Sequence, residues 1–528
     1  MSERKWAGPE LSRDQYVMMT LDDLLAWDHR IRVVDELLER VDWSPWEERY
    51  RPSLRGQPAI HPRLVAGCIL YGLMVRVRSS RQLEDATRER LDFQWFLGRR
   101  TIDHATFANF RTDFGDLLSG LNDWFAQRLC EAVENALGLL VGDGTRMRAN
   151  SNLHGALTGE TLKRHAGQVA RLLNDRLAQM AETDAREDEG AQEKAALREE
   201  IEGLRAELAQ YERAIEVAEA RDAARRQKEG ANAAPVQVPV TDPDAMVVPN
   251  KDGGFAPNYT PTAVVDAASG AIISADVPEG TRESSVVMPA VERARRLGGN
   301  PQCIVADSAF ACGPNLKKLD AENVEACMPT ETDFRGTNPA NRPDPAQPVP
   351  REQWAKLPMN GARLASSAFL YDSQRDEYRC PMGKRLTPGG CGTNRHGARY
   401  RVYECPGGAD CPLAGRCLVK NTRTRTLRRD EYQDLRDTVG RRMATQEGIQ
   451  LYKRRGPLIE TVFARIKVHM GIRQFLLRGL DKVRTEWSWI CLAYNLKLLL
   501  KLATDTTKPP LTHGPTSSHA LWRPQEAQ

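Results

Sequence analysis

The chain has 528 residues, of which 41% are apolar, and this length predicts two or three domains rather than one ordinary core. The net charge of +4 excludes a uniformly basic surface, although 420–485 is locally rich in Arg and Lys. No run of about 18 apolar residues is present, and the first residues lack the pattern of a secretory signal. These features favour a cytoplasmic protein without a membrane span.

The first predicted elements are helices between residues 60 and 115. Apolar residues recur at three-and-four spacing after Pro62, as on one buried helix face. The serine pair at 79–80 and Asp103 are suitable N-caps for two further helices. A helix, a short turn and a second helix with arginines outside are typical of a helix-turn-helix DNA reader, with Arg81 and Arg111 as candidate phosphate contacts. A small helical bundle with a solvated arginine face explains the same pattern.

An apolar run and a long polar segment follow. Residues 137–142, LGLLVG, predict a buried strand that stops at Asp143. From Leu162 to about Lys228 the chain is rich in Ala, Glu, Arg, Leu and Gln, with an apolar seam at three-and-four spacing. This segment is predicted to be a long helix or helical hairpin that resembles a coiled coil.

Strands and helices alternate in the next part of the chain. Two strands flanking 268–270 predict a β-hairpin, in which Asp266 is interpreted as a turn residue. A helix closed by glycines precedes QCIVADSAF, a buried strand ending at Asp307, and 335–361 is predicted to be an irregular linker. The order predicts a mixed α/β core, and ligand sites of such sheets tend to lie at strand ends.

Three acids stand at the ends of core elements or beside them. Asp143 and Asp307 each follow a buried strand, and Glu460 lies on an amphipathic helix with Lys467 two turns later. Converging carboxylates suit hard divalent ions such as Mg²⁺, which phosphoryl-transfer enzymes use in pairs. Spacing alone does not exclude purely structural roles for these acids, because an aspartate at a strand end is often a turn residue or a helix cap.

Four cysteines lie near Gly and Pro turns, and this pattern suits a tetrahedral Zn²⁺ site. Cys391 and His396 are further candidates, and reduced cysteines in a compact loop insertion are the alternative. The four candidate zinc ligands are Cys380, Cys405, Cys411 and Cys417.

Several stretches resemble the large DDE-type insertion-sequence transposases that carry a helical N-terminal domain. Residues 61–98 and 103–111 are similar to their DNA-binding domain. VGDGTRMRANSN at 141–152 resembles the first-acid motif, IVADSAF at 304–310 the second-acid motif, and 454–499 the C-terminal signature. The resemblance covers most of residues 60–500.

The resemblance implies an α/β fold with a ribonuclease-H-like core, whose catalytic metal ligands for Mg²⁺ or Mn²⁺ are Asp143, Asp307 and Glu460. It also implies DNA contacts by Lys467, Arg455 and Tyr452. Arg455 and Tyr452 each lie one residue earlier in the chain than the usual family spacing before the glutamate. The expected divisions are a helical DNA-binding domain at 1–135, a DDE core at 136–505, a helical insertion at 157–232, a linker with the Cys-rich insertion at 335–420, and a disordered tail at 506–528.

The function expected from the resemblance is metal-dependent cleavage at terminal inverted repeats and transfer of the strands to target DNA. The expected assembly is a homodimer or a larger synaptic complex on double-stranded DNA. The alternative is a catalytically inactive or domesticated DNA-binding derivative, against which the three intact acids argue. A nuclease that only hydrolyses shares the same metals and differs in the nucleophile.

Overall fold

The structure is a computed structural model that describes residues 18–50, 59–184, 191–249, 253–280, 283–394, 397–408, 410–418 and 422–504. The predicted disordered tail and His396 lie outside these residues. The chain forms two compact units, one within Met1–Trp124 and Leu492–Gln528 and the other within Phe125–Cys491.

The described part of the first unit is helical, as predicted. Ser79 caps one helix through a reciprocal capping box with Gln82, and Asp103 caps another by accepting the Thr106 N–H at 2.8 Å. In chain order the helices are α1 (Leu21–Leu24), α2 (Arg30–Glu39), α3 (Ser44–Tyr50), α4 (Pro62–Met74), α5 (Ser80–Glu89), α6 (Leu91–Leu97), α7 (His104–Asp113) and α8 (Leu118–Glu131), which crosses into the second unit.

The expectation of a single buried face on α4 is wrong. From Val65 to Met74 every residue of α4 is buried, because the helix packs against α2, α3, α5, α6 and α7. A helix that is apolar on all sides belongs at the centre of a bundle.

The second unit begins with strands, a helical hairpin and the central sheet. Its first elements are β1 (Leu139–Gly144), β2 (Met147–Arg148), β3 (Ala156–Thr158), α9 (Gly159–Asp184), α10 (Ala191–Glu229), β4 (Gln237–Pro239), β5 (Met246–Pro249), β6 (Phe255–Tyr259), β7 (Thr262–Asp266), β8 (Ile272–Asp276), α11 (Val287–Arg296), β9 (Cys303–Val305), α12 (Gly313–Ala321) and β10 (Glu325–Cys327).

The Cys-rich region and the C-terminal helices complete the second unit. They are β11 (Met359–Asn360), β12 (Arg363–Leu364), β13 (Leu370–Asp372), β14 (Glu377–Arg379), β15 (Arg385–Thr393), β16 (Arg399–Glu404), α13 (Ala414–Cys417), β17 (Thr426–Asp430), α14 (Gln433–Ala444), α15 (Gln446–Lys453), α16 (Arg455–Ala464), a π-helical turn (Arg465–His469) and α17 (Leu480–Thr504), which from Leu492 belongs to the first unit.

The central sheet has the strand order β10-β9-β1-β7-β8. β1 runs parallel to β9 and β9 parallel to β10, whereas β7 pairs antiparallel with both β1 and β8. The predicted hairpin is therefore present, and the chain has a mixed α/β fold. Asp266 is buried in its turn and accepts hydrogen bonds from Leu137 and Ser269, as expected of a structural residue.

The two long helices α9 and α10 pack against each other as a hairpin. Leu197 and Ile201 of the predicted seam are buried against Leu173, and Leu204 and Leu208 border the same cluster. The seam thus lies between the helices, and the coiled-coil geometry of the pair stays a prediction.

The Cys-rich region contains an antiparallel sheet with the order β13-β14-β15-β16-β17, which was not among the elements expected from the sequence. The sequence signal is weak because most of β15 is exposed on both faces, so its apolar residues do not alternate. In the described part of the chain, none of the helices is long and apolar enough to cross a membrane.

Candidate active site

Asp143 and Asp307 lie side by side at the carboxyl ends of two inner strands of the central sheet. β1 and β9 are parallel, with Val141 opposite Val305, and each aspartate follows two residues later. Neighbouring strands lie about 4.8 Å apart, and residues in the same register point to the same face. The two carboxylates therefore meet at the carboxyl ends of adjacent parallel strands.

Asp143 is largely buried and is held by two donors. Its Oδ1 accepts the Gly144 N–H at 2.9 Å, and its Oδ2 pairs with the Arg455 guanidinium at 2.5 Å. Burial raises the pKa of the Asp143 carboxyl; Arg455 opposes this rise, and the nearby Asp307 carboxylate adds to it. The carboxylate is thus kept in a crowded acidic environment that a cation stabilises.

Asp307 is half-buried and serves as an N-cap. Its Oδ1 accepts the Ala309 N–H at 2.8 Å at the start of the short 3-10 helix Ser308–Phe310. Asp307 is therefore a helix cap, the structural role that the sequence also allowed, and this role does not conflict with metal binding. A cap occupies one lone pair and fixes the side-chain rotamer, which orients the carboxylate at the sheet edge.

Glu460 is exposed on α16, which packs against β1. Arg455 and Lys467 lie roughly 18 Å apart along the helix axis, yet their side chains end on Asp143 and Thr145, only two residues apart. The end of β1 must then lie beside the middle of this helical segment, where Glu460 is found. The Glu460 carboxylate also folds back over Gly456, whose missing Cβ would stand 3.8 Å from its Oε1.

Lys467 donates hydrogen bonds to Thr145 Oγ1 at 2.6 Å and to the Arg146 carbonyl at 2.8 Å. It lies in the π-helical turn, so the α-helical spacing used to place it on the face of Glu460 does not hold there. Thr145 and the Arg146 carbonyl are contacts that sequence reasoning missed. Their one signal is that they lie two and three residues after Asp143.

Arg455 and Tyr452 lie together, with the guanidinium 5.6 Å from the centre of the Tyr452 ring. Because the guanidinium is also paired with Asp143, Arg455 is part of the acidic site in this structure. The DNA contacts expected of Arg455 and Tyr452 stay predictions.

The two arginines chosen in the N-terminal domain differ in exposure. Arg81 is exposed in the first turn of α5, as a phosphate contact requires. Arg111 is buried, and its guanidinium donates to the Arg78 carbonyl at 2.6 Å. This burial favours a structural role for Arg111 and leaves its expected DNA contact without support.

The donor set at the sheet edge fits a hard divalent ion by its chemistry. Asp143 and Asp307 supply carboxylate oxygens, the ligands that Mg²⁺ and Mn²⁺ prefer, and the arginine on Asp143 marks a position where positive charge is favoured. Within the residues that the structure describes, no three His, Cys, Asp or Glu side chains lie close enough together to hold a metal ion as they stand. The triad with Glu460 therefore stays a prediction.

The four candidate zinc ligands line one small cavity in the Cys-rich region. Cys380 and Cys405 interact with each other, and this interaction lowers the pKa of Cys405 while raising that of Cys380. Both are buried, and Cys411 and Cys417 are half-buried beside them. Cys391, the spare candidate, is exposed on β15 and does not line the cavity.

Two family models match the chain, one near each end. A transposase domain (DUF772) matches residues 19–113, and a transposase DDE domain matches residues 379–500, a range that contains Glu460 and Lys467 but neither aspartate. No curated protein and no solved structure matches the chain. The two matched domains agree with the resemblance noted in the sequence, and together they support a DDE-type insertion-sequence transposase.

Proposed function

We propose that the protein is an active transposase that binds the terminal inverted repeats of its insertion sequence and cuts and transfers DNA strands with Mg²⁺ or Mn²⁺. The observation that carries this proposal is the register of β1 and β9, which sets Asp143 and Asp307 together beside the Glu460 helix. The transposase DDE domain match supports the reaction class. DNA in the cytoplasm is the substrate.

The mixed sheet, with a hairpin on one side of β1 and parallel strands on the other, supports a ribonuclease-H-like core. In that core Asp143, Asp307 and Glu460 would hold the divalent ions, which activate the attacking oxygen and stabilise the leaving oxygen of a phosphodiester. The residues of the chain fix the geometry: the N-cap bond orients Asp307, and Arg455 orients Asp143.

Lys467 and Arg81 would contact phosphates, at the active site and in the N-terminal domain respectively. These cations release counterions on binding, so DNA affinity should fall steeply with salt. A homodimer or larger synaptic complex would hold two transposon ends together. An inactive DNA-binding derivative gains no support from the matched domains, and a purely hydrolytic nuclease would cut without joining strands.

A cleavage assay tests the proposal directly. The purified chain is incubated with DNA that carries the inverted repeats flanking its gene and with a circular target. We expect cuts at the repeat ends and joined products with Mg²⁺ or Mn²⁺, and neither with a chelator. End binding without any metal-dependent cutting would favour the inactive derivative, and cutting without joined products would favour the nuclease.

Lys467→Ala should weaken DNA binding and reduce the slope of log affinity against log salt by about one. The matched control is Thr145→Val, which removes the hydroxyl that accepts the Lys467 hydrogen bond at 2.6 Å and leaves the Lys467 charge in place. If Lys467 contacts phosphate, Thr145→Val keeps the normal salt slope. Should Lys467→Ala also leave the slope unchanged while both variants lose cleavage, Lys467 only positions the end of β1.

A further inference from the structure

Two turns in the Cys-rich region have the same sequence form, Cys-Pro-x-Gly. At Cys380 the turn closes through the Gly383 N–H to the Cys380 carbonyl at 2.8 Å, with Gly383 in the left-handed region at φ +74°. In the second turn the Cys405 sulfur lies 3.5 Å from the place where a Cβ on Gly407 would stand, so the glycine leaves space beside the sulfur.

The two turns meet at one cavity. Cys380, Cys405, Cys411 and Cys417 all line the same space of about 20 Å³. A Zn–S bond of ~2.3 Å sets tetrahedral sulfurs roughly 3.8 Å apart, so four cysteines around so small a space suit a single ion. The cavity has room for a single ion and none for an organic ligand.

Positive charge surrounds this cavity. The Lys384 ammonium lies over Gly407, and Arg425 lines the cavity while donating to the Cys417 carbonyl at 3.3 Å. The Nε of Arg425 is buried and has no hydrogen-bond partner among the described residues. A buried donor of this kind calls for an acceptor, and a thiolate sulfur on the cavity wall would supply one.

We propose that Cys380, Cys405, Cys411 and Cys417 form a closed structural Zn²⁺ site, separate from the catalytic carboxylates. Binding replaces four thiol protons, which leave to solvent, with one Zn²⁺, so the centre carries a charge of −2 that Lys384 and Arg425 balance. Among the described residues, no three His, Cys, Asp or Glu side chains are already grouped closely enough to hold a metal ion. The proposed site therefore requires the half-buried Cys411 and Cys417 side chains to rotate inward on metal binding.

The site would add to the apolar cluster of the Cys-rich region. That cluster includes Leu364, Leu386 and Leu413 and contains Cys380 and Cys405 themselves. A bound metal ties the cysteine-bearing turns together and so stabilises the folded state. This role is independent of DNA cleavage, so the proposal stands or falls separately from the proposed function.

The test measures zinc in the tag-free, full-length chain purified without chelators. We expect about one zinc per chain, retained in the exposed control Cys391→Ser and lost in Cys405→Ser and Cys417→Ser. Equal zinc in Cys405→Ser and Cys391→Ser, or a wild-type chain without zinc, overturns the proposal.

A second measurement does not depend on the folding of the variants. Titration of the native wild-type chain with an organomercurial, followed by a zinc-binding dye, should release zinc in step with about four thiols. Zinc release unrelated to thiol modification contradicts the site. A Cys380–Cys405 disulfide found by mass spectrometry would likewise overturn it, because those sulfurs could not then bind metal.

Discussion

Glu460→Gln should reduce strand cleavage by about 10³-fold or more while leaving DNA binding intact. The amide keeps the size of the side chain and its place on α16 but loses the charge that holds a divalent ion, a loss of several kcal/mol in transition-state stabilisation. Glu460 is exposed, so the substitution should not alter the free energy of unfolding. Cleavage rates measured beside a binding titration separate the two effects.

The matched control is Glu447→Gln, an exposed glutamate in the first turn of α15. Glu447 precedes Gly448, whose carbonyl lies 3.7 Å from the Cys327 thiol of the edge strand β10, whereas Asp143 lies on the central strand β1. We therefore expect Glu447→Gln to cut normally. Normal cutting by Glu460→Gln would make Glu460 a surface residue and the triad incorrect.

Asp266→Ala should lower the free energy of unfolding by about 3–5 kcal/mol. The Asp266 carboxylate is buried and accepts the Leu137 N–H at 2.7 Å, the Ser269 N–H at 2.7 Å and the Ser269 hydroxyl at 2.6 Å. Alanine leaves all three donors without this acceptor. Urea denaturation followed by tryptophan fluorescence measures the change.

The contrasting variant is Asp143→Asn, on the neighbouring strand β1. It should abolish cleavage and change the unfolding free energy much less, because asparagine still offers an oxygen to Arg455. Asp266→Ala, by comparison, should keep its specific activity at temperatures where it stays folded. Loss of activity in folded Asp266→Ala would give this aspartate a catalytic role, contrary to its place in the hairpin turn.

Much of the local structure was predictable from the sequence. The apolar runs before Asp143 and Asp307 end where strands β1 and β9 end, to within two residues, and Ser79 and Asp103 cap helices as expected. The hairpin around 268–270 and the helical insertion are likewise present. Such features depend on which face of a segment is buried and on which side chain can satisfy a helix end, and both are local properties.

The contacts that build the candidate site were not predictable in this way. Arg455 pairs with Asp143 across 312 residues and Lys467 binds Thr145 across 322, and the parallel pairing of β1 with β9 spans the whole helical insertion. The burial of Arg111 and the sheet of the Cys-rich region also depend on distant partners.

The sequence by itself indicated most of the element types, the resemblance to transposases and the candidate active-site residues. Only the tertiary structure decided which of them meet: Asp143 with Asp307 and Arg455 at the sheet edge, and Cys380 with Cys405 at the small cavity. The physical reason is that helix and strand patterns are set by burial within a short window. Pairing across hundreds of residues is selected by the packing and electrostatics of the assembled core, which a local pattern does not contain.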